Sequence, residues 1–334
     1  PNQITMDNSF CTIVMYHYVR DLTNTSYPDI KGLDTSLFIE QIEYLQKHYH
    51  FVTIEEVIDA FENKNSIPSN SVLLTFDDGY IDHYNNVFPI LDRKKIQGSF
   101  YIPVETACKN RILDVNKIHY ILAKIENKQI LIDEIYSLLD VYRTTFELES
   151  NKYYFKKLAV SSRYDSKEVI FIKRLLQVEL EEKLRIKIIS ALFKKYVSSD
   201  EKAFSRELYM NEEQISCMQR NGMHIGGHGN SHYWLGSLNK KQQELEIEKS
   251  FDFIQKIGGD MNYWTMCYPY GNYNDDTLKI LRQKKCKLGL TTKVDTLDFD
   301  TYNPLTSPRL DTNDIPKNRN GHPNVWLKKV SNKT

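Results

Sequence analysis

This sequence predicts an α/β fold of parallel strands with intervening helices, and three observations carry that reading. Short β-branched and aromatic runs alternate with helix-period segments in both the first and last thirds of the 334 residues, the order that makes βαβ units. The run Ser71-Val72-Leu73-Leu74-Thr75-Phe76 is apolar almost without a break, as a strand buried on both faces must be. It then stops abruptly at Asp77-Asp78-Gly79, and acids at the carboxyl end of a buried strand are where α/β folds place their chemistry.

The elements follow in order. Residues 10 to 18 make the first strand, and Thr35-Ser36 cap an amphipathic helix through Lys47 with Phe38, Ile42 and Leu45 on one stripe. Phe51-Val52 is a short strand, and Thr53 caps a helix whose Glu56 stands at the capping-box position. Past Gly79, residues 82 to 95 read as a helix kinked at Pro89, and Gln97 to Pro103 as the next strand. The alternation resumes with strand 222–227, helix 239–256, strand 263–269, helix 274–285 and strand 287–292. Between these blocks, residues 105–212 are helical in pattern and rich in Lys, Glu, Leu and Tyr, with loops at Glu147 to Tyr154 and Ser161 to Ser166. That stretch reads as an insertion, either a lid over a site or a packing or dimer surface, and His119 within it reads as structural. The chain thus divides into an α/β domain (1–104 and 213–312), a helical insertion (105–212) and a carboxyl-terminal tail (313–334).

Composition narrows the function. Forty-four acidic and 44 basic residues cancel, which argues against nucleic acid as a partner, because phosphate binding needs a basic excess. Five cysteines at 11, 108, 217, 267 and 286 form an odd set without C-x-x-C spacing, the pattern of free thiols in a reducing compartment. No apolar stretch is long enough for a membrane helix, and the first residues lack a basic segment followed by an apolar core. The expectation from these features is a cytoplasmic enzyme of undetermined oligomeric state. The 22 tyrosines suit a sugar-compatible surface as well as ordinary packing.

Neighbouring side chains on a regular strand point to opposite faces, so Asp77 and Asp78 share a site only if the strand breaks there, and Gly79 permits the break. Alone, the triplet is equally a turn signal. A second motif follows much later: Gly222-Met223-His224-Ile225-Gly226-Gly227 reads as a short strand running into glycines, and His228 and His232 come next. Their i, i+4 spacing puts both imidazoles on one side of a helical turn, although the surrounding glycines and Asn230 favour a loop. Either geometry chelates. No glutamate stands in an H-E-x-x-H arrangement, so the base must come from elsewhere, and Asp77 or Asp78 is available. Two acids and two histidines amount to three metal ligands and a spare base, the minimum for activating water.

With both motifs in view, Thr75-Phe76-Asp77-Asp78-Gly79 and His228-x-x-x-His232 resemble the first two motifs of the polysaccharide deacetylase (NodB-homology) family, the family-four carbohydrate esterases. The resemblance covers roughly residues 10–104 and 213–312 and implies an incomplete, distorted (β/α) barrel of about seven strands. It implies Asp77 as general base and Asp78, His228 and His232 as ligands of a divalent metal, zinc first, with nickel, cobalt or iron also accommodated. Cys267-Tyr268-Pro269-Tyr270-Gly271 resembles the third motif, whose aromatic residue gives a backbone N–H to the oxyanion hole; Tyr270 is the candidate. The arginine many members carry there is absent, and Arg309 in Ser307-Pro308-Arg309-Leu310-Asp311 is a candidate to hold Asp77 by a bidentate pair. The late L-x-H histidine that supplies the general acid in many members is also absent. Tyr16-His17, at the end of the first strand, instead resembles the circularly shifted poly-N-acetylglucosamine deacetylase branch and makes His17 the candidate acid. His322 is its rival, in a polar Gly-Pro setting that reads as a mobile tail.

The activity expected is metal-assisted hydrolysis of the acetamide of an N-acetylated sugar, in a surface polysaccharide, its precursor, or a nucleotide- or lipid-linked saccharide. Two other readings stand beside it: an amidase for a non-sugar N-acyl or cyclic amide, and an inactive saccharide-binding protein.

Overall fold

The structure, a computed structural model, describes residues 6–331 apart from 65 and 163. It contains two compact units, one of residues 1–21, 32–110 and 206–334, the other of residues 22–31 and 111–205.

The first unit is built on a curled nine-stranded sheet in which the two-residue strands His50–Phe51, parallel, and Leu297–Asp298, antiparallel, accompany seven parallel strands: β1 (Phe10–Tyr16), β2 (Ser71–Asp77), β3 (Gly98–Ile102), β4 (His224–Gly227), β5 (Thr265–Cys267), β6 (Leu288–Leu290) and β7 (Leu310–Asp311). Their order in space is β6-β5-β4-β3-β2-β1-β7. Beyond β6, Leu290 forms one parallel bridge to Ser307, whose N–H donates to the Gly289 carbonyl at 2.9 Å. The sheet therefore curls until its two ends nearly meet, a distorted and incomplete barrel whose seam is one residue pair at 307.

Alternation along the strands sorts the core into two layers. Cys11, Ile13, Leu73, Tyr101, Cys267, Leu288 and Leu290 fill the inside of the curl. Val14, Tyr16, Val72, Leu74, Phe76, Phe100, Ile225 and Met266 face outward into the layer of helices. Across β1, β2 and β3 the rings of Tyr16, Phe76 and Phe100 are stacked, with centroids 4.9 and 4.7 Å apart. The two-residue period that turns Val72, Leu74 and Phe76 outward turns Leu73, Thr75 and Asp77 inward. Gly226 on β4 is demanded by the interior, since a Cβ there would stand 2.3 Å from the Tyr101 ring.

Helix Thr35–His48 buries Phe38, Ile42 and Leu45 as expected, but its cap is Asp34, whose carboxylate accepts the Ser36 N–H, not Thr35-Ser36. Helix Ile54–Asn63 carries the expected capping box of Thr53 and Glu56. Between residues 82 and 95 the irregularity lies ahead of Pro89: a π-helical turn, His83–Val87, leads into α-helix Phe88–Lys94. The carboxyl-terminal residues pack closely. Buried Gln41 donates to the carbonyls of Thr312 and Ile315 at 3.0 Å and accepts from the Tyr16 hydroxyl at 2.7 Å, and helix Val325–Ser331 buries Leu327 and Val330.

The second unit is helical: Asp114–Lys124, Lys128–Tyr142, Asn151–Leu158, Lys167–Arg174 and Glu182–Tyr196. Ile118, Ile121, Leu131, Ile135, Leu139, Phe171, Leu184, Ile188 and Leu192 are buried within it. The expected loop at Glu147 to Tyr154 is shortened, because Ser150 caps a helix by accepting the Tyr153 N–H. All five cysteines are free thiols, and no helix among the described residues is long and apolar enough to cross a membrane.

Candidate active site

Asp77 ends β2 pointing into the curl and is buried, at 2% exposure. Arg309, at 1% exposure, lies between the seam and β7, its Nε held by the Thr291 carbonyl at 2.9 Å. Its two terminal nitrogens each donate to one Asp77 oxygen at 2.8 Å, a fork that fixes the plane of the carboxylate. Thr75 Oγ1 and Cys267 Sγ also accept from the same guanidinium at 3.2 Å. Burial alone would raise the Asp77 carboxyl; the charge and hydrogen bonds of Arg309 outweigh it and hold the group at about 2. Asp77 is therefore an anion at any physiological pH.

Asp78 does what a regular strand forbids. Its φ of 74° and the φ of 68° at Gly79 turn the chain back, so both carboxylates occupy one end of the sheet. The Tyr80 hydroxyl donates to Asp78 Oδ2 at 2.7 Å. Oδ1 points the other way, 3.2 Å from Nε2 of both His228 and His232. It is buried without a hydrogen-bond partner. Burial pushes Asp78 up and the two imidazoles pull it well below the usual carboxylate range.

The histidines ride a loop, not a helix, leaving β4. His228 donates its backbone N–H to the Ile102 carbonyl at 3.1 Å. Its Nδ1 lies 2.7 Å from the Cys267 carbonyl; a carbonyl only accepts, so Nδ1 holds a proton and Nε2 is aimed at Asp78. His232 adopts a φ of 60°. Glu246 Oε2 accepts the N–H groups of Asn230 and Ser231 at 2.9 Å, and the carbonyls of Gly229 and Asn230 accept from Val104 and Glu105. The loop is thus braced from both sides.

Three ligand atoms from Asp78, His228 and His232 lie within 4.8 Å of one another, all buried. The unpartnered Oδ1 facing two imidazole nitrogens is the arrangement a small divalent cation needs. Asp77, His228 and Cys267 are also close, but Arg309 occupies both oxygens of Asp77 and so removes it as a ligand.

Tyr270 sits on a Pro-Tyr-Gly turn at φ 58°. Its ring stacks on Trp234 with centroids 4.3 Å apart and meets the edge of His232 at 4.8 Å. His17, just beyond β1, places Nε2 at 3.8 Å from Asp77 Oδ2 while its side chain stays 40% exposed. His322 is exposed on the Gly-Pro segment, where its carbonyl accepts from the Tyr44 hydroxyl on helix Thr35–His48. The structure therefore brings Asp77, Asp78, His228, His232, Arg309 and His17 into one cluster, with Tyr270 against its edge. Sequence reasoning missed Tyr80, one residue past the first quoted motif, Cys267, which opens the third, and Glu246, which carries no local signal.

The sequence pattern of polysaccharide deacetylases matches residues 64–127 and 141–289. The chain belongs to the polysaccharide deacetylase family. Membership places it among the family-four carbohydrate esterases, hydrolases that open acetamide bonds. Over 85 residues it is 32% identical to the poly-beta-1,6-N-acetyl-D-glucosamine N-deacetylase of Escherichia coli K12, a match covering 25% of this chain and 12% of that protein. The chain thus corresponds to only a small part of that relative's length. Its fold is similar to those of the deacetylase PplD of Streptococcus pyogenes, solved with acetate (TM-score 0.56, 18% identity, 98% of each chain), and IcaB of Ammonifex degensii (TM-score 0.55, 16% identity, 97% of each chain). For this polysaccharide deacetylase the two matches establish a common architecture.

Proposed function

We propose that this polysaccharide deacetylase is a metal-dependent N-deacetylase that hydrolyses the acetamide of an N-acetylated sugar, in a poly-N-acetylglucosamine-type polymer or its precursor. The observation that carries the reading is the division of labour between adjacent carboxylates. Arg309 holds Asp77 as an oriented anion, and Asp78 faces two imidazoles. The name of the Escherichia coli relative supports the sugar.

Asp78, His228 and His232 would hold the cation, with zinc the first choice and nickel, cobalt or iron compatible with the same donors. When bound, such an ion supplies Lewis acidity, lowering the pKa of water and polarising a carbonyl. Asp77, kept ionised and oriented by the Arg309 fork, takes the proton of the attacking water as general base. As the C–O bond forms, the Tyr270 backbone N–H donates to the developing oxyanion. His17 then gives a proton to the nitrogen as the C–N bond breaks, because an amide anion is too basic to leave. Acetate and a glucosamine-type amine result.

The test is acetate release by purified protein from N-acetylglucosamine oligomers, UDP-N-acetylhexosamines and peptidoglycan fragments, with chelator and after adding zinc or cobalt. Release is expected from the oligomers, lost on chelation and restored by metal. Protein shown to bind metal yet silent on every substrate would remove the sugar from the proposal. His17→Ala is expected to slow amide turnover by ~10²-fold or more with metal affinity unchanged, read by single-turnover kinetics and metal titration.

A further inference from the structure

The segment that carries His17 leaves β1 and runs through Val19–Arg20, a short strand paired with Leu33–Asp34. Its backbone polar groups are gripped by the start of the helical segment after the Asp77-Asp78 turn. His83 Nε2 lies 2.8 Å from the His17 carbonyl. The Val19 N–H donates to Asp82 Oδ2 at 3.1 Å, and Asn86 Nδ2 donates to the Val19 carbonyl at 2.8 Å. Arg20 forks onto both oxygens of Asp82 at 2.8 Å, and the remaining carbonyl, that of Tyr18, accepts from Leu33 at 2.9 Å.

His83 is the unusual member. It is fully buried, and its ring packs 5.5 to 5.7 Å from those of Phe76, Tyr80 and Phe100, a setting that would accept phenylalanine. A carbonyl cannot donate, so His83 must carry its proton on Nε2, which leaves Nδ1 a buried nitrogen without a hydrogen-bond partner. Leaving such a group unsatisfied is costly. What the imidazole supplies over a phenyl ring is the single bond to the peptide that follows His17. It also begins the π-helical turn His83–Val87, a distortion frequent at functional sites. Asp82, just ahead of that turn, and His83 and Asn86 within it all reach the same three-residue segment.

We propose that Asp82, His83 and Asn86 form a positioning clamp that fixes the main chain at 17–19 and so aims the His17 imidazole at the reacting nitrogen. The clamp rests on the reading of His17 as the proton donor. His83 touches no substrate in this scheme; it acts through the peptide plane that sets the direction of the His17 side chain.

The experiment separates proton donation from everything else by the leaving group. N-acetylglucosamine oligomers need a proton on the departing nitrogen, whereas 4-nitrophenyl acetate releases a phenolate that needs none. His17→Ala and His83→Phe are assayed on both in metal-loaded enzyme. His83→Phe is expected to lower kcat for the oligomer ~10- to 100-fold, leave its KM unchanged, and keep ester turnover within about twofold. His83→Gln, whose amide can still donate, is expected to recover most of the loss. Asn86→Ala, at a partly exposed position, is expected to show the same split at several-fold, so the outcome does not hang on folding of a core variant. Equal losses on both substrates in the His83 and Asn86 variants, beside a split in His17→Ala, would overturn the clamp alone. No split in His17→Ala would overturn the proton-donor assignment, and the clamp with it.

Discussion

Asp78→Ala is expected to abolish both metal binding and acetate release, whereas Asp77→Asn should keep the metal and lose turnover. The two residues are adjacent and both buried, so burial does not distinguish them; their partners do. Asp78 Oδ1 faces His228 and His232 at 3.2 Å and has no other claim on it. Removing it leaves two imidazoles, and affinity should fall well beyond the ~10- to 100-fold typical of losing an outer partner of a metal ligand. Asparagine at 77 keeps size and shape but cannot accept a proton, so the rate should drop ~10²- to 10⁴-fold. Its amide nitrogen would also meet a guanidinium donor, at a cost of about 1–3 kcal/mol in stability. Calorimetric zinc titration and acetate release on the same preparations check both halves. Equal loss of metal in the two variants would overturn the division of roles.

Arg309→Met is expected to destabilise the fold by about 3–5 kcal/mol, since it strands a buried carboxylate, and to inactivate the enzyme through the same residue. Its pH signature follows from linkage. In the native protein Asp77 is depressed from 3.8 to about 2, so the stabilisation it contributes is complete above 3.8 and is lost as pH falls toward 2. Without the guanidinium, burial dominates and the Asp77 carboxyl rises above its ordinary value. Folding of the variant then favours the protonated acid, and stability is lost as pH rises through that raised value. Melting temperatures of the two proteins should therefore converge as pH drops below about 4 and diverge toward neutrality. A gap that did not change with pH would show that Arg309 acts by packing alone.

The fold was legible because its two periods are clean. All seven residues of Ser71–Asp77 are buried, which is the unbroken apolar run seen from inside. Thr53 and Glu56 cap a helix as their spacing requires. The helical turn around Pro89 was misplaced because a π-turn has no composition of its own. The cap at Asp34 was missed because Asp34, Thr35 and Ser36 all have capping side chains, and only the backbone decides among them. The clustering of the candidate ligands Asp78, His228 and His232 was legible because both halves are short local motifs. The Arg309 fork joins residues 232 positions apart, so sequence could nominate it but not distinguish it from a surface arginine. His83 and Glu246 had no signature, since each serves a backbone group rather than a ligand.

The separation of Asp77 from Arg309 has a bearing on biosynthesis. A ribosome delivers β2, with its buried acid, long before the guanidinium that neutralises it. Until the residues around 309 have emerged, the nascent barrel carries an uncompensated charge at its centre and lacks the seam at Ser307 that draws its edges together. On the roles proposed for Asp77 and Arg309, catalytic competence and structural completion wait on the same late segment, and a truncated translation product ending before it is expected to have neither.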